Sequence, residues 1–363
     1  MSVSPTAVIV LAAGEGTRMK STMPKVLHPI CGKSLVGHAL TAARELTPQH
    51  LAVVVRHERD RVAAHVSQVA PEAVIADQDD VKGTGRAAEC GLLALPPGLT
   101  GTVLVTYGDV PLLTSQTLEA MLAQHVRDGC AVTVITASIP DPTGYGRILR
   151  DADGAVSGIV EQKDASPAQQ GITEINSGIY AFDAQLLSEA LAEVGTDNAQ
   201  GEKYLTDVIG IARRRGLAVQ AHLIDDLWQT EGVNDREQLA RLGAELNRRV
   251  GRRWMREGVT LVDPETIWID ADVSIGADCT ILPGTQLLGA TTIGNGVVIG
   301  PDCTLRDVEV GDRATLVRTH AELAAVGADA TVGPFVHLAP NATVEVGATV
   351  AAFTHLGGKD TQA

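Results

Sequence analysis

Apolar and polar positions follow two different periods along this chain. Up to residue 234, continuous apolar runs alternate with segments at helical spacing. Val8 to Leu11, Leu51 to Val55 and Val103 to Thr106 read as strands buried on both faces. Between them the pattern predicts a helix from about Leu35 to Leu46, a helix through Val62 and Val66, and a short strand at Val74 to Ile75. Strands alternating with helices imply a mostly parallel, doubly wound α/β sheet of Rossmann-like kind, with ligands at the carboxyl ends of the strands. Beyond Ala131 the strands shorten: AVTVITASI, a hairpin turning at Asp153 and Gly154, then EINSGIYAFD. Residues 235 to 257 lack proline and place Leu239, Leu242, Leu246 and Val250 on one face, so they predict a linking helix.

From Ile269 the period becomes six. Ile269, Ile275, Ile281, Leu287, Ile293, Ile299 and Leu305 recur at that interval, and Val326, Val332, Leu338, Val344 and Val350 resume it. An aliphatic in every six-residue unit is the pattern of a parallel β-helix, whose stacked coils hide the aliphatic column. The break near Val308 to Val310 and in the 320s predicts an irregular loop or a coil slip. The expected division is therefore 1–234, 235–257 and 258–363.

Candidate chemistry clusters at strand ends. After Leu11, the residues Ala12, Ala13 and Gly14 remove side-chain bulk, Gly14, Gly16 and Thr17 present open amides, and Arg18 and Lys25 add two cations. That combination suits a nucleoside triphosphate. The dinucleotide fingerprint needs a third glycine where Met19 stands, and the Walker loop needs Gly-Lys-Ser/Thr, so neither applies. The glycines alone would describe an ordinary strand-to-helix turn. Gln78 offers a side-chain amide, Gly83, Thr84 and Gly85 admit a second close backbone approach, and Asp109 sits at a strand tip, placed either to hold magnesium or to cap a turn. Further on, Gly144 and Gly146 allow close contact while Glu161 and Asn176 supply an acceptor and an amide for sugar hydroxyls. Asn234 opens the last helix of this part, either as a ligand or as an N-cap.

Composition narrows the options. A net charge of -15 argues against general nucleic-acid binding, so phosphate handling must be local, and a few cations mark a place. A chain of 363 residues exceeds what one core usually serves. No long apolar run and no basic leader occurs, which makes the cytoplasm the expected location. Cys31, Cys90, Cys130, Cys279 and Cys303 are scattered and odd in number, as reduced structural thiols would be.

The order G-x-G-T-R-M followed by Pro-Lys resembles sugar-1-phosphate nucleotidylyltransferases, and LAAGEGTRM with PKVLHPICGKSL is similar to the bacterial N-acetylglucosamine-1-phosphate uridylyltransferases. GTGRA, YGDVPL, DPTGYGRI, GIVEQKDA, EINSGI, QGEKYLTD and EGVNDREQL extend the match, which with the hexapeptide repeats covers the plan of the bifunctional GlmU family. The resemblance implies a nucleotidylyltransferase domain followed by a left-handed parallel β-helix. It gives Leu11, Ala13, Gly14, Gln78, Gly83 and Thr84 to the uridine nucleotide, Tyr107, Gly146, Glu161, Asn176 and Asn234 to the sugar substrate, and Arg18 and Lys25 to the phosphates. Asp109 with Asn234 would hold Mg2+, and the repeats would build a homotrimer.

The repeats also depart from the family. Where bifunctional members carry an arginine in a segment like FxRLRPG and lysines in one like FVEMKK, this chain has FVHLAPN and FTHLGGK, with Ala339 and Gly357 at those positions. His355 falls before the family's catalytic histidine and reads as a lone surface histidine. The expectation is a monofunctional uridylyltransferase with a shortened acetyltransferase domain. Another sugar 1-phosphate or dTTP as substrate, or a sugar-nucleotide-binding subunit without turnover, remains compatible with the residues.

Overall fold

A computed structural model describes residues 4–357. The chain forms two compact units, Met1–His28 with Ser34–Leu239, and Pro29–Lys33 with Ala240–Ala363.

The first unit is built on one sheet. Its main path runs Val219–Leu223, Val132–Ser138, Glu174–Asp183, Thr102–Tyr107, Ala7–Leu11, His50–Val55, Val74–Asp77. The last four strands are mutually parallel, as the doubly wound pattern requires. Ala7–Leu11 is central there, and every one of its residues is buried. The helix Leu35–Glu45 covers one face, started by Ser34, whose hydroxyl accepts the Gly37 N–H at 2.9 Å. The helix Thr84–Leu93 covers the other, packing on Ala7–Leu11 and His50–Val55.

Glu174–Asp183 runs antiparallel to both of its neighbours, so the sheet is mixed at that point. Its register slips between Asn176 and Tyr180. Gly178 lies in the slip at φ +81, and a Cβ there would stand 2.2 Å from Cε2 of Tyr107. The bulge thereby makes room for the Tyr107 ring. The hairpin Gly146–Arg150 with Val156–Val160 pairs antiparallel with Ile175 and Asn176 of that strand, its turn closed by Gly154 N–H on the Asp151 carbonyl at 3.0 Å.

The second unit is a left-handed parallel β-helix with three sheets. One contains Leu261, Ile281, Ile299, Leu316, Val332 and Val350 in register, and the others carry the Ile269 and Ile275 columns. These aliphatics are 8% exposed or less, which makes the column the continuous core of the coil. The period breaks without any loop. Leu305 to Val310, Leu316 to Ala321 and Ala321 to Val326 are five-residue steps, and the ladders continue through all of them. Losing one corner residue leaves the inward-facing position intact, so a coil tolerates it.

Pro29–Lys33 belongs to this unit: the Cys31 carbonyl accepts the Ala271 N–H at 2.9 Å, and Lys33 Nζ meets Asp272 Oδ1 at 2.8 Å. All five cysteines are free and buried. Burial, reinforced by Asp270, pushes the Cys31 thiol up to about 12. Among the described residues no helix is long and apolar enough to cross a membrane.

Candidate active site

A cleft of about 440 Å3 opens where the parallel strands of the first unit end. Leu11, Ala13, Gly14, Gln78, Gly83 and Thr84 all line it. Lys25, Tyr107 and Asp109 line it as well.

Loop geometry brings the cations to this place. Gly16 has φ +62, and a Cβ on it would lie 2.5 Å from Cβ of Lys25, so the glycine lets the Pro24–Lys25 segment pass against the loop. Nothing stands within 4 Å of the position a Cβ would take on Gly14. The backbone there faces open space. The turn Thr17–Met19 is anchored from behind, by buried Met19 and by Arg236 Nε donating to the Met19 carbonyl at 3.2 Å. Arg18 rides on that turn, exposed and outside the cleft lining.

Lys25 Nζ forms a close ion pair with Asp109 Oδ2. Their side chains are only 11% and 19% exposed, so water screens the pair poorly. The loop 232–234 runs along Asp109: Val233 N–H donates to its carbonyl at 2.9 Å, and a Cβ on Gly232 would be 3.6 Å from its Cγ. Asn234 therefore sits beside the same strand tip. It is not the helix cap, because Asp235 Oδ1 accepts the Gln238 N–H at 2.8 Å and Gln238 Oε1 accepts the Asn234 N–H at 2.7 Å. Asp109 and Asn234 offer a carboxylate and an amide oxygen, both hard donors. No group of three or more His, Cys, Asp or Glu converges for a metal among the described residues. A divalent ion held here would take its other ligands from phosphate and water, the habit of Mg2+.

The structure shows which half of the Gln78 amide is free. Its Nε2 donates to the Val81 and Gly83 carbonyls at 3.0 and 3.3 Å, which braces the loop and leaves Oε1 as the group for a ligand. Gly83 has φ +113, and a Cβ there would stand 2.3 Å from the Lys203 carbonyl oxygen. That carbonyl accepts the Gly85 N–H at 2.8 Å, and Lys203 N–H donates to Lys82. The segment around Lys203 thus holds the start of the helix Thr84–Leu93 at the cleft, where its amide ends favour an anion. Loss of solvent, with Glu161 and Asp109 adding to it, raises the Tyr107 phenol well above its usual range against the opposing contact with Thr84, so it stays protonated.

Gly146, Glu161 and Asn176 form a neighbouring group outside that lining. A Cβ on Gly146 would lie 3.4 Å from both Glu161 Oε2 and Asn176 Cβ. Asn176 Oδ1 already accepts from Gly178 N–H and the Tyr180 hydroxyl, each at 2.9 Å, so its NH2 is the part left for a hydroxyl group. Burial pushes the Glu161 carboxyl up against the opposing hydrogen bond from Thr206 at 3.4 Å, and Asp164, Asp207 and Glu202 add to the rise.

Arg56, Lys82 and Glu202 also line the cleft. None was singled out from the sequence, although Arg56 directly follows a buried strand, which was a usable signal. Arg147 is fully buried and binds the Tyr145 carbonyl, Gln162 Oε1 at 2.6 Å and the Gln170 carbonyl at 3.3 Å. It ties the Gly146 strand to the Glu161 segment from behind.

Comparison with known proteins agrees with both units. The MobA-like NTP transferase domain model matches residues 8–166, and the bacterial transferase hexapeptide model of six repeats matches residues 272–307. The bifunctional protein GlmU of Micrococcus luteus is 56% identical over 365 residues, 97% of this chain and 73% of the relative. Proteins of the same name from Paenarthrobacter aurescens and Mycolicibacterium vanbaalenii are 58% and 52% identical, covering 97% and 98% of this chain and 71% and 76% of the relatives.

Proposed function

The chain belongs to the GlmU family, and from that premise we propose that its cleft joins UTP to N-acetylglucosamine 1-phosphate, giving UDP-N-acetylglucosamine and pyrophosphate, and that it does not transfer acetyl groups. Its class, a nucleotidyltransferase, follows from the family. The finer assignment is carried by one observation: the Lys25–Asp109 pair lies in the same cleft as the bare backbone at Gly14.

In this reading the nucleotide occupies the cleft, its base toward Gln78 and Gly83 and its phosphates toward Gly14 and Lys25. The Gln78 oxygen suits the single N–H of a uracil ring edge. Gly146, Glu161 and Asn176 hold the sugar. A phosphate oxygen of the sugar phosphate attacks the α-phosphorus, the bond from that phosphorus to the bridging oxygen breaks, and pyrophosphate leaves. No covalent enzyme intermediate is required. Lys25, and Arg18 from the turn above, offset the repulsion of two anions and the charge gathering on pyrophosphate. Mg2+ held by Asp109 and Asn234 would neutralise phosphate oxygens. The site lies within residues 1–234, and its use of UTP assigns the reaction to the cytoplasm.

The absence of acetyl transfer rests on Ala339 and Gly357. Ala339 is buried, with its N–H on the Leu356 carbonyl at 2.8 Å. Gly357 has φ +80, and a Cβ on it would lie 3.1 Å from the Ala339 carbonyl oxygen. A long cationic side chain at that point would be strained, and the phosphate of an amino sugar would lose charge-assisted bonds of about 1.5–3 kcal/mol each.

The decisive assay follows both activities of the purified chain. Pyrophosphate release should require UTP, N-acetylglucosamine 1-phosphate and Mg2+, and should stop in excess chelator. Thiol release from acetyl-CoA with glucosamine 1-phosphate should stay at background. Equal rates with dTTP or in chelator would remove the first assignment, and sugar-dependent thiol release would remove the second.

Two further results are expected. The exposed sheets of the β-helix favour a closed ring, so light scattering should give three times the 37.9 kDa of one chain; a single-chain mass would refute the trimer. The raised Glu161 carboxyl gains its proton at a higher pH than an ordinary carboxylate and then carries no negative charge for a hydroxyl donor. The KM for the sugar phosphate should therefore start to rise on acidification at a higher pH than an ordinary carboxylate would give, while the KM for UTP changes little. Glu161→Gln should start with a KM about tenfold higher and lose most of that pH dependence. Identical profiles for the two proteins would free Glu161 from this role.

A further inference from the structure

The β-helix carries a second arrangement of chemically capable side chains, and it corrects the expectation for His355. That residue is exposed but is not alone. His320, His337 and His355 occupy matching positions on three successive parallel strands. Ladder spacing of about 4.8 Å forces side chains so aligned into one outward-facing column. The His337 and His355 Nδ1 atoms approach to 2.9 Å, and their ring centroids are 4.7 Å apart with planes inclined by 55°. His320 continues the column, its ring centroid 5.4 Å from that of His337.

The ring geometry suits two uses of this pair, a bent hydrogen bond and a shared ion. A straight N–H···N bond of the same length would place the centroids about 5.2 Å apart, since each nitrogen lies roughly 1.15 Å from its ring centre. Two rings radiating at a right angle from one ion, with metal–nitrogen bonds of about 2.05 Å, would put the nitrogens about 2.9 Å and the centroids about 4.5 Å apart. The tetrahedral angle preferred by zinc would open the nitrogens to about 3.3 Å. The observed 2.9 Å between the nitrogens equals the bite of the right-angled arrangement, which square-planar and tetragonal ions adopt, and a bent hydrogen bond holds the two rings in that arrangement while no ion is bound.

We propose that His337 and His355 form a two-histidine site for a divalent transition ion of tetragonal preference, Cu2+ or Ni2+, on the outer face of the β-helix. Water completes the coordination. No third protein ligand of the His, Cys, Asp or Glu type converges with them among the described residues. A cavity of about 630 Å3 beside the column, walled by the stacked rings of Phe335 and Phe353, leaves room for that water. The net charge of -15 favours approach of a cation. The site uses none of the groups assigned to nucleotidyl transfer, so it stands independently of that assignment.

The test is equilibrium dialysis of the tag-free full chain against Cu2+ and Ni2+, with electron paramagnetic resonance of the Cu2+ form. One tightly held Cu2+ per chain is expected, with nitrogen couplings from two imidazoles. His337→Ala and His355→Ala should each weaken it by about thirtyfold, and His320→Ala by less than about threefold. Pyrophosphate release and light scattering should match the parent protein in all three, which shows that each variant is folded. Unchanged Cu2+ affinity in both His337→Ala and His355→Ala, or coupling to fewer than two nitrogens, would overturn the proposal and leave a hydrogen-bonded imidazole pair only.

Discussion

Lys25→Ala is expected to lower pyrophosphate-release turnover by about a hundredfold or more, with a smaller change in the KM for UTP. Lys25 and Asp109 satisfy each other in the structure, and both side chains are largely withdrawn from water. During transfer the ammonium is worth most where negative charge accumulates on the leaving pyrophosphate, so its loss falls on turnover rather than on binding. Asp109→Asn should produce a similar loss for the complementary reason. It keeps the shape of the side chain but removes the charge that pairs with Lys25 and that would hold the proposed metal. The double variant should be far less than additive, because each single change already disables the same pair. Single-turnover rates, with melting curves to establish folding, provide the check. Turnover within threefold of the parent protein in either single variant would remove that residue from the chemistry.

Gly83→Ala should be the most damaging change that removes no functional group. Gly83 combines φ +113 with ψ 158, a region essentially reserved for glycine, and the added methyl would meet the Lys203 carbonyl oxygen at 2.3 Å. Rotation of a side chain cannot relieve this clash, since the obstacle is backbone. The expected cost is about 3 kcal/mol or more of stability, combining strain of about 1–3 kcal/mol with displacement of the Lys203 segment. That segment positions the start of the helix Thr84–Leu93 at the cleft, so the KM for UTP should rise by at least about tenfold in protein that remains folded. Gly144→Ala is an informative contrast. It also has positive φ, at +90, but a Cβ there meets nothing within 4 Å, so only the strain should appear. Urea denaturation and UTP titration of both variants distinguish the two costs, and equal effects would mean that the Lys203 contact carries no weight.

The sequence alone determined most of the architecture, because burial on one face or two imposes a short-range period. Strands such as Ala7–Leu11 must be apolar throughout, and a coil must return an aliphatic to its core at nearly fixed intervals. The hairpin turn at Gly154 and the helix at Arg236–Arg256 were legible for the same local reason. The glycine-rich loop was legible as a candidate phosphate cradle, since a bare backbone followed by cations needs no partner elsewhere to be noticed, and Gly14 and Lys25 do line one cleft.

What joins distant segments was decided only by the tertiary structure. Lys25 and Asp109 are 84 positions apart, and nothing local to either announces the pair. The antiparallel course of Glu174–Asp183, the membership of Pro29–Lys33 in the second unit and the entry of Arg56 and Lys82 into the cleft are of the same kind. Local periodicity dictates which side chains turn inward but not which strand lies alongside. The histidine column shows the distinction most directly. His337 and His355 are ordinary polar residues in sequence, and they meet because the intervening coil is 18 residues long and brings the chain back in register.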